Sequence, residues 1–199
     1  MTSLYYEHPH RYTFEKDGYY MLNRIAEIRS CIRNKEYEAA LALALTLPDI
    51  CGQVEYPDQK VGARYRAWIN NYVDKNILFF SHIFEVVIPT VEEVNTTRTF
   101  ETITAEDIYQ LRCSFLHSGD DDIASDRIDE FHLVKPESLR PEADNEYGYR
   151  LISRTREGKE FHIAELNIRL ICELLCESAE KYYNSKSPKD FEDHTRTLG

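Results

Sequence analysis

The sequence predicts a mainly α-helical bundle of four or more helices, with a small β-hairpin inserted before the last long helix. Three observations carry this prediction. Apolar residues recur at helical spacing in several segments. Tyr (14) and Phe (9) are abundant whereas Gly (7) is scarce, a mixture that favours helices with aromatic packing. Late in the chain, alternation with a period of two residues interrupts the helical pattern.

The first three helices are predicted from their apolar spacing over about 18–33, 35–47 and 60–75. The second is rich in alanine, a strong helix former. We expect it to stop at Pro48, so that "LPDICG" forms a structured turn. The apolar stretch "ILFFSHIFEVVIP" that follows the third helix fits either a helix or a strand.

The clearest predicted helix covers about 104–119 and lies in the segment "TITAEDIYQLRCSFLHSG", residues 102–119. Thr104 is a favourable N-cap, and the two acids of the first turn complement the positive end of the helix dipole. Gly119 fits the left-handed position that follows many helix ends. This arrangement places Arg112 in the middle of the helix and His117 in its last turn.

The period then changes to that of β-strands. "RIDEFHLV" and "YGYRLIS" are predicted strands of a two-stranded element between about 126 and 154, with "KPESLRPEADNE" as the loop between them. "SRTREGKE" is typical of a turn, and a long final helix is predicted over about 160–183.

We expect one domain over residues 1–199, because this length is enough for one hydrophobic core. Its predicted parts outside the bundle are an N-terminal arm, a hairpin insertion and a loose tail, over about 1–17, 125–155 and 185–199.

Charge and cysteine content limit the function. The net charge of −11 opposes nonspecific binding to nucleic acid, so a nucleic-acid role depends on a local site or on a partner. Five cysteines without a secretory type of N-terminus argue against a disulfide framework. Cys172 and Cys176 are expected in the core, and Cys51 at a more accessible position.

No apolar run reaches the roughly 20 residues of a membrane span, and we expect a cytoplasmic protein that does not enter a membrane.

Arg112 and His117 form the pattern Arg-x4-His, which also occurs by chance at Arg127 and His132. On a helix, five residues separate two side chains by about 140° and about 7.5 Å, so the pair can flank a groove. The negative helix end favours protonated His117, and Arg112 is a permanent cation suited to phosphate. An imidazole that titrates near neutral pH and a fixed guanidinium suffice to cleave RNA without a metal.

A helix that ends in "LRCSFLHSG", late in a helical bundle, resembles the HEPN domain family. The resemblance implies a HEPN-like, metal-independent endoribonuclease with Arg112 and His117 as the catalytic pair and RNA as substrate. It also implies a homodimer, a role as a toxin or antiphage defence effector, and a regulatory or antitoxin protein partner. Family members often carry Asn or Asp after the arginine, where this sequence has Cys113.

An inactive HEPN-like module, serving for dimerisation or as an adaptor for a protein partner or nucleotide, is the alternative. In that case we expect Arg112 to be used in an internal ion pair with Glu106, Asp107 or an acid on another helix. In the enzyme, both Arg112 and His117 should be accessible in a cleft.

Further residues are assigned to substrate binding: Ser118, Asp49 and Arg64. Asp49 and Glu55 could share one end of the bundle, although Asp49 also fits a role in capping local backbone. Arg64, Arg66 and Trp68 could contact a nucleotide, although a tryptophan in this pattern is typical of a core.

Other site chemistries fit the sequence less well. In "HSGDDD", His117 and 120–122 offer metal ligands, but consecutive acids usually point apart into water. A nucleophilic Cys113 or Cys51 lacks a supporting oxyanion motif. The two histidines of 8–10 belong to an aromatic arm that is expected to pack on the bundle. We therefore expect no metal and no cofactor.

Overall fold

The computed structural model describes residues 19–74, 103–118, 130–138, 149–156, 159–187 and 190–191. The helices in these residues are α1 (Tyr19–Arg33), α2 (Tyr37–Ala44), α3 (Leu47–Glu55), α4 (Val61–Tyr72), α5 (Ala105–Ser118) and α6 (Ile168–Asn184). The strands are β1 (Glu130–Val134), β2 (Tyr149–Arg156) and β3 (Lys159–Asn167), with a short 3₁₀ turn at Pro136–Ser138. The predicted class, a mainly helical bundle with a small strand insertion before the last long helix, is confirmed.

Helix α6 lies at the centre of the bundle and packs against α1, α2, α3 and α4. Its apolar side chains recur at helical spacing and are buried, including Cys172 and Cys176, as predicted. Trp68 of α4 is fully buried against them, which confirms its place in the core. Since each large apolar side chain stabilises the fold by about 1.5–3 kcal/mol on burial, the buried face of α6 contributes strongly to the stability of the bundle.

The prediction that "LPDICG" forms a turn is wrong, because these residues begin α3. Pro48 lies in the first helical turn, where its missing N–H has no intrahelical partner to lose. The turn between α2 and α3 lies earlier, at Leu45 and Thr46, where the hydroxyl of Thr46 donates a 2.6 Å hydrogen bond to the carbonyl of Leu43. Cys51 consequently lies on the inner face of α3 and is fully buried, not accessible as expected.

The strands form a three-stranded sheet in the order β1–β3–β2, with β1 parallel and β2 antiparallel to β3. Both predicted strands exist, but they pair with β3 and not with each other. The segment of β3 was predicted as the start of the last helix, because Ile163 and Leu166 fit helical spacing. Ala164 is buried between them, as expected for a central strand that is covered on both faces.

Helix α6 therefore begins at Ile168, eight residues later than predicted. Asn167 ends β3, and its side-chain oxygen accepts a 3.3 Å hydrogen bond from the backbone N–H of Leu170. This contact is a typical N-cap. Most of the predicted turn "SRTREGKE" is also strand, because β2 continues to Arg156 and β3 begins at Lys159.

In the described part of the predicted loose tail, residues 185–187 and 190–191, Lys186 and Phe191 contact the bundle. Phe191 is only 6% exposed, with its ring centroid 4.8 Å from that of Tyr183. The arm over 1–17, the stretch "ILFFSHIFEVVIP", the acids 120–122 and Arg127 lie outside the described residues. No helix within the described ranges is long and apolar enough to cross a membrane.

Candidate functional site

The start of α5 is held by reciprocal hydrogen bonds between Thr104 and Asp107. The Asp107 carboxylate accepts from the backbone N–H and the hydroxyl of Thr104, both at 2.8 Å. The Thr104 hydroxyl oxygen accepts in turn from the backbone N–H of Asp107 at 3.2 Å. This is a capping box, which confirms the predicted N-cap. The cap fixes the residue at which α5 begins. It therefore also fixes the position along the helix axis of Arg112, five residues after Asp107.

Two glycines bring the helices around Arg112 close together. A Cβ atom added to Gly52 of α3 would lie 3.0 Å from the carbonyl oxygen of Arg64 in α4. A Cβ atom on Gly62 would lie 2.8 Å from the hydroxyl oxygen of Tyr109 in α5. Because glycine has no side chain at these positions, α3 packs closely on α4, and α4 on α5.

This packing gathers Asp49, Arg64 and Arg112, from three different helices, into one cluster. The Nε and Nη2 atoms of Arg64 both lie 3.0 Å from Oδ1 of Asp49. The Nη2 atom of Arg112 lies 3.6 Å from the other oxygen, Oδ2. Two guanidinium groups thus share one carboxylate and leave one positive charge in excess. We call these three residues the arginine–aspartate cluster.

Arg112 is held less firmly than Arg64. A separation of 3.6 Å is too long for a hydrogen bond, so Asp49 attracts Arg112 by charge alone. The Nε atom of Arg112 is buried and has no hydrogen-bond partner. An unpaired buried donor costs about 1–3 kcal/mol, and more on a charged group. The side chain is 18% exposed, so part of the guanidinium faces solvent.

Tyrosine rings line the arginines of this region. The Cζ atom of Arg112 lies 5.6 Å from the ring centroid of Tyr65, whose hydroxyl donates to the carbonyl of Leu45 at 3.1 Å. Burial raises the pKa of Tyr65 well above its ordinary value, and the positive charge of Arg112 opposes that rise. Tyr65 therefore stays neutral and offers Arg112 the face of a ring, an arrangement that stabilises a cation.

A second arginine–tyrosine pair lies beside the cluster. Arg66 stacks over Tyr109, with its Cζ atom 4.8 Å from the ring centroid, and forms a 3.2 Å ion pair with Glu106. The rings of Tyr109 and Tyr65 are 5.4 Å apart. Arg66 already has its own carboxylate, so it lies outside the arginine–aspartate cluster.

The structure brings together three of the five residues that the sequence assigned to the site. Arg112, Asp49 and Arg64 meet, and the acid near Arg112 belongs to another helix, one of the partners considered for it. Asp49 binds an arginine side chain as well as lying in the first turn of α3. His117 and Ser118 are the last two residues of α5. Their side chains lie outside the described part of the chain.

Glu55 does not join the cluster. Its carboxylate accepts from the hydroxyl of Tyr182 at 2.8 Å and from Nζ of Lys186 at 2.6 Å. Asp49 and Glu55, both in α3, therefore contact different side chains.

The alternative cysteine nucleophile at Cys51 is wrong as well. Cys51 is fully buried, and burial raises the pKa of its thiol well above the ordinary value, which suppresses the reactive thiolate. Cys113 is partly exposed in the middle of α5.

Sequence reasoning missed the tyrosine beneath Arg112 and the two glycines that allow the close packing. A glycine within a helical pattern is a signal of close backbone approach, and Gly52 and Gly62 both carry it. Tyr65 has no comparable local signal, because its contact with Arg112 joins two different helices.

Within the described residues, no three His, Cys, Asp or Glu side chains are grouped so that they could hold a metal ion. Comparison of the chain with protein-family models, with curated proteins and with solved structures found no match.

Proposed function

We propose that this chain is a HEPN-like, metal-independent endoribonuclease with Arg112 and His117 as its catalytic pair. The observation that carries the proposal is the arginine–aspartate cluster. In a chain of net charge −11, it concentrates one excess positive charge at the predicted catalytic arginine. An incompletely bonded guanidinium is suited to an RNA phosphate, which accepts two parallel hydrogen bonds from arginine.

The proposed reaction is attack of the ribose 2′-oxygen on the adjacent phosphorus. His117 takes the proton of the 2′-hydroxyl, the new P–O2′ bond forms, and the P–O5′ bond breaks. The leaving 5′-oxygen takes a proton from water, so the products are a 2′,3′-cyclic phosphate and a 5′-hydroxyl. Arg112 stabilises the negative charge that builds on the phosphate oxygens. Arg64 holds Asp49, and Ser118, next to His117, is proposed to contact the substrate.

A homodimer across α5 is part of the proposal. Leu116, the residue before His117, is a large apolar side chain that is 37% exposed on α5. A two-fold axis near this position would cover Leu116 and double the catalytic groups in one cleft. The family resemblance adds a cytoplasmic toxin or antiphage role and control by a regulatory or antitoxin protein.

The second candidate function is an inactive HEPN-like adaptor. One observation favours it: Arg112 is mostly buried and forms an ion pair with Asp49, an acid on another helix, which is the contact expected for the adaptor. In that case the exposed Leu116 would still serve an interface, with the second copy or with a partner.

The test is incubation of the purified chain with total RNA in EDTA. We expect cleavage by the wild type and its near loss in Arg112→Ala and His117→Ala, because acid–base catalysis contributes on the order of 10²–10⁴ in rate. Arg112→Lys should rescue poorly. Two variants serve as controls and should retain activity: Arg29→Ala, whose residue is ion-paired to Glu180 at 2.7 Å, and His132→Ala from the chance motif. A wild type that cleaves no RNA favours the adaptor.

A further inference from the structure

The two arginines of the arginine–aspartate cluster hold Asp49 unequally. Arg64 reaches Oδ1 of Asp49 with two nitrogen atoms at 3.0 Å. Arg112 approaches only Oδ2, at 3.6 Å, and its Nε remains without an acceptor. Separation would thus break one long contact of Arg112 and leave both contacts between Asp49 and Arg64 in place.

Asp49 remains well placed without Arg112. It lies in the first turn of α3, where the helix dipole favours a negative charge, and Arg64 still neutralises it. Arg112, in contrast, gains from an anion that reaches the solvent-facing part of its guanidinium, since the side chain is 18% exposed. Charge-assisted bonds from arginine to phosphate are short and paired, unlike the long contact with Asp49.

We infer that Asp49 is the resting counter-anion of Arg112 and that an RNA phosphodiester takes its place. This inference rests on the proposed ribonuclease function and adds a residue that sets substrate affinity. Asp49 competes with the phosphate for Arg112. A ligand therefore binds only if it interacts with Arg112 more strongly than the Asp49 carboxylate does at 3.6 Å. The site therefore takes a tetrahedral phosphate oxyanion on Arg112, while Asp49 stays with Arg64.

The first test is calorimetric titration of the full chain with inorganic phosphate. Asp49→Asn should bind phosphate about fivefold more tightly than the wild type, since such an ion pair is worth up to about 1 kcal/mol. The gain should vanish in the double variant Asp49→Asn with Arg112→Ala. Glu106→Gln is the matched control. It also removes one carboxylate charge, but from the ion pair with the neighbouring Arg66, and should leave phosphate affinity unchanged.

Two results overturn the inference. Equal or weaker phosphate binding by Asp49→Asn would mean that Asp49 positions Arg112 and does not compete for it. An equal gain in Glu106→Gln would mean that the effect is one of general charge. If Asp49→Asn does not fold, Asp49→Ser serves in its place.

A second test uses the wild type and follows the NMR signal of Arg112 during titration with phosphate, so it does not depend on a variant at Asp49. The Nε–H resonance of Arg112, identified by its absence in Arg112→Lys, should shift as phosphate is added. A titration to saturation that leaves this resonance in place overturns the inference.

Cleavage kinetics separate this inference from the proposed function. With RNA, Asp49→Asn should lower KM about fivefold and leave kcat unchanged, because a competitor acts on binding alone. If the wild type cleaves RNA but Asp49→Asn binds phosphate no more tightly, the inference alone fails. If Asp49→Asn gains phosphate affinity through Arg112 but no variant cleaves RNA, the ribonuclease proposal fails and the anion site stands.

Discussion

The hydroxyl of Tyr182, near the end of α6, donates a 2.8 Å hydrogen bond to the carboxylate of Glu55, the last residue of α3. Nζ of Lys186 lies 2.6 Å from the same oxygen. The hydrogen bond from Lys186, more than any other contact, lowers the pKa of Glu55 below its ordinary value. One carboxylate thus joins α3 to the chain that follows α6.

Glu55→Gln should lower the free energy of unfolding by about 1 kcal/mol at neutral pH, because the variant loses a charge-assisted contact. The pKa of Glu55 is lower in the folded than in the unfolded chain, so this stabilisation is present above the unfolded pKa. It should be lost as the pH falls through the folded pKa. Urea unfolding over a pH series measures the difference.

Glu177→Gln, at an exposed acid of α6, is the control and should change the free energy of unfolding little at any of these pH values. A difference between wild type and Glu55→Gln that stays constant from neutral to strongly acidic pH contradicts the account.

Gly52→Ala should destabilise the protein. The added Cβ would meet the backbone carbonyl of Arg64 at 3.0 Å, and a helix backbone yields less than a flexible side chain. Overpacking of this kind costs about 1–3 kcal/mol, which outweighs the gain of at most about 1 kcal/mol in helix propensity. Chemical denaturation tests this, with Gln53→Ala on the same helix as control. Gly52→Ala as stable as the wild type would show that α3 and α4 are not in close contact.

Thr104→Ala should lower the free energy of unfolding by about 1 kcal/mol, because it removes the hydroxyl that caps α5. Thr104→Ser keeps a hydroxyl and should stay close to the wild type. Urea midpoints of the three proteins decide the point. Equal loss in both variants would place the role of Thr104 in its methyl group.

Native thiol alkylation should reach only Cys31 and Cys113, the two partly exposed cysteines. Cys51, Cys172 and Cys176 are fully buried, and burial raises the pKa of the Cys176 thiol to about 12. These three should react only after unfolding, since alkylation needs an accessible thiolate. Mass spectrometry of peptides gives the labelled positions. Alkylation of Cys51 as fast as that of Cys113 in the native protein would contradict its burial.

Elements with strong local signals could be predicted from the sequence. The capping residue and apolar stripe of α5 are local features, and the helix begins within one residue of the predicted position. At α3, the local signal was ambiguous, because a proline both ends one helix and begins another. For β3, the deciding contacts come from β1 and β2, which are distant in sequence. Its apolar spacing alone fits a helix equally well.

The candidate site shows the same division. Arg112 and its place in α5 follow from spacing and capping along one helix. Its contacts with Asp49 and Tyr65 depend on how closely three helices pack, which Gly52 and Gly62 permit. Asp49 and Arg64 were assigned to the site from the sequence, but not as an ion pair that shares its carboxylate with Arg112.

The chemical ends of the RNA products distinguish attack by the ribose 2′-oxygen from hydrolysis by water. A short RNA of defined sequence, incubated with the purified chain in EDTA, should yield 5′ fragments that carry a 2′,3′-cyclic phosphate and 3′ fragments with a 5′-hydroxyl, resolved by mass spectrometry. The same RNA with a 2′-deoxy ribose at the cleavage position should stay intact, and His117→Ala should leave both RNAs uncut. Fragments with 5′-phosphate ends, or equal cleavage by His117→Ala, would contradict the account.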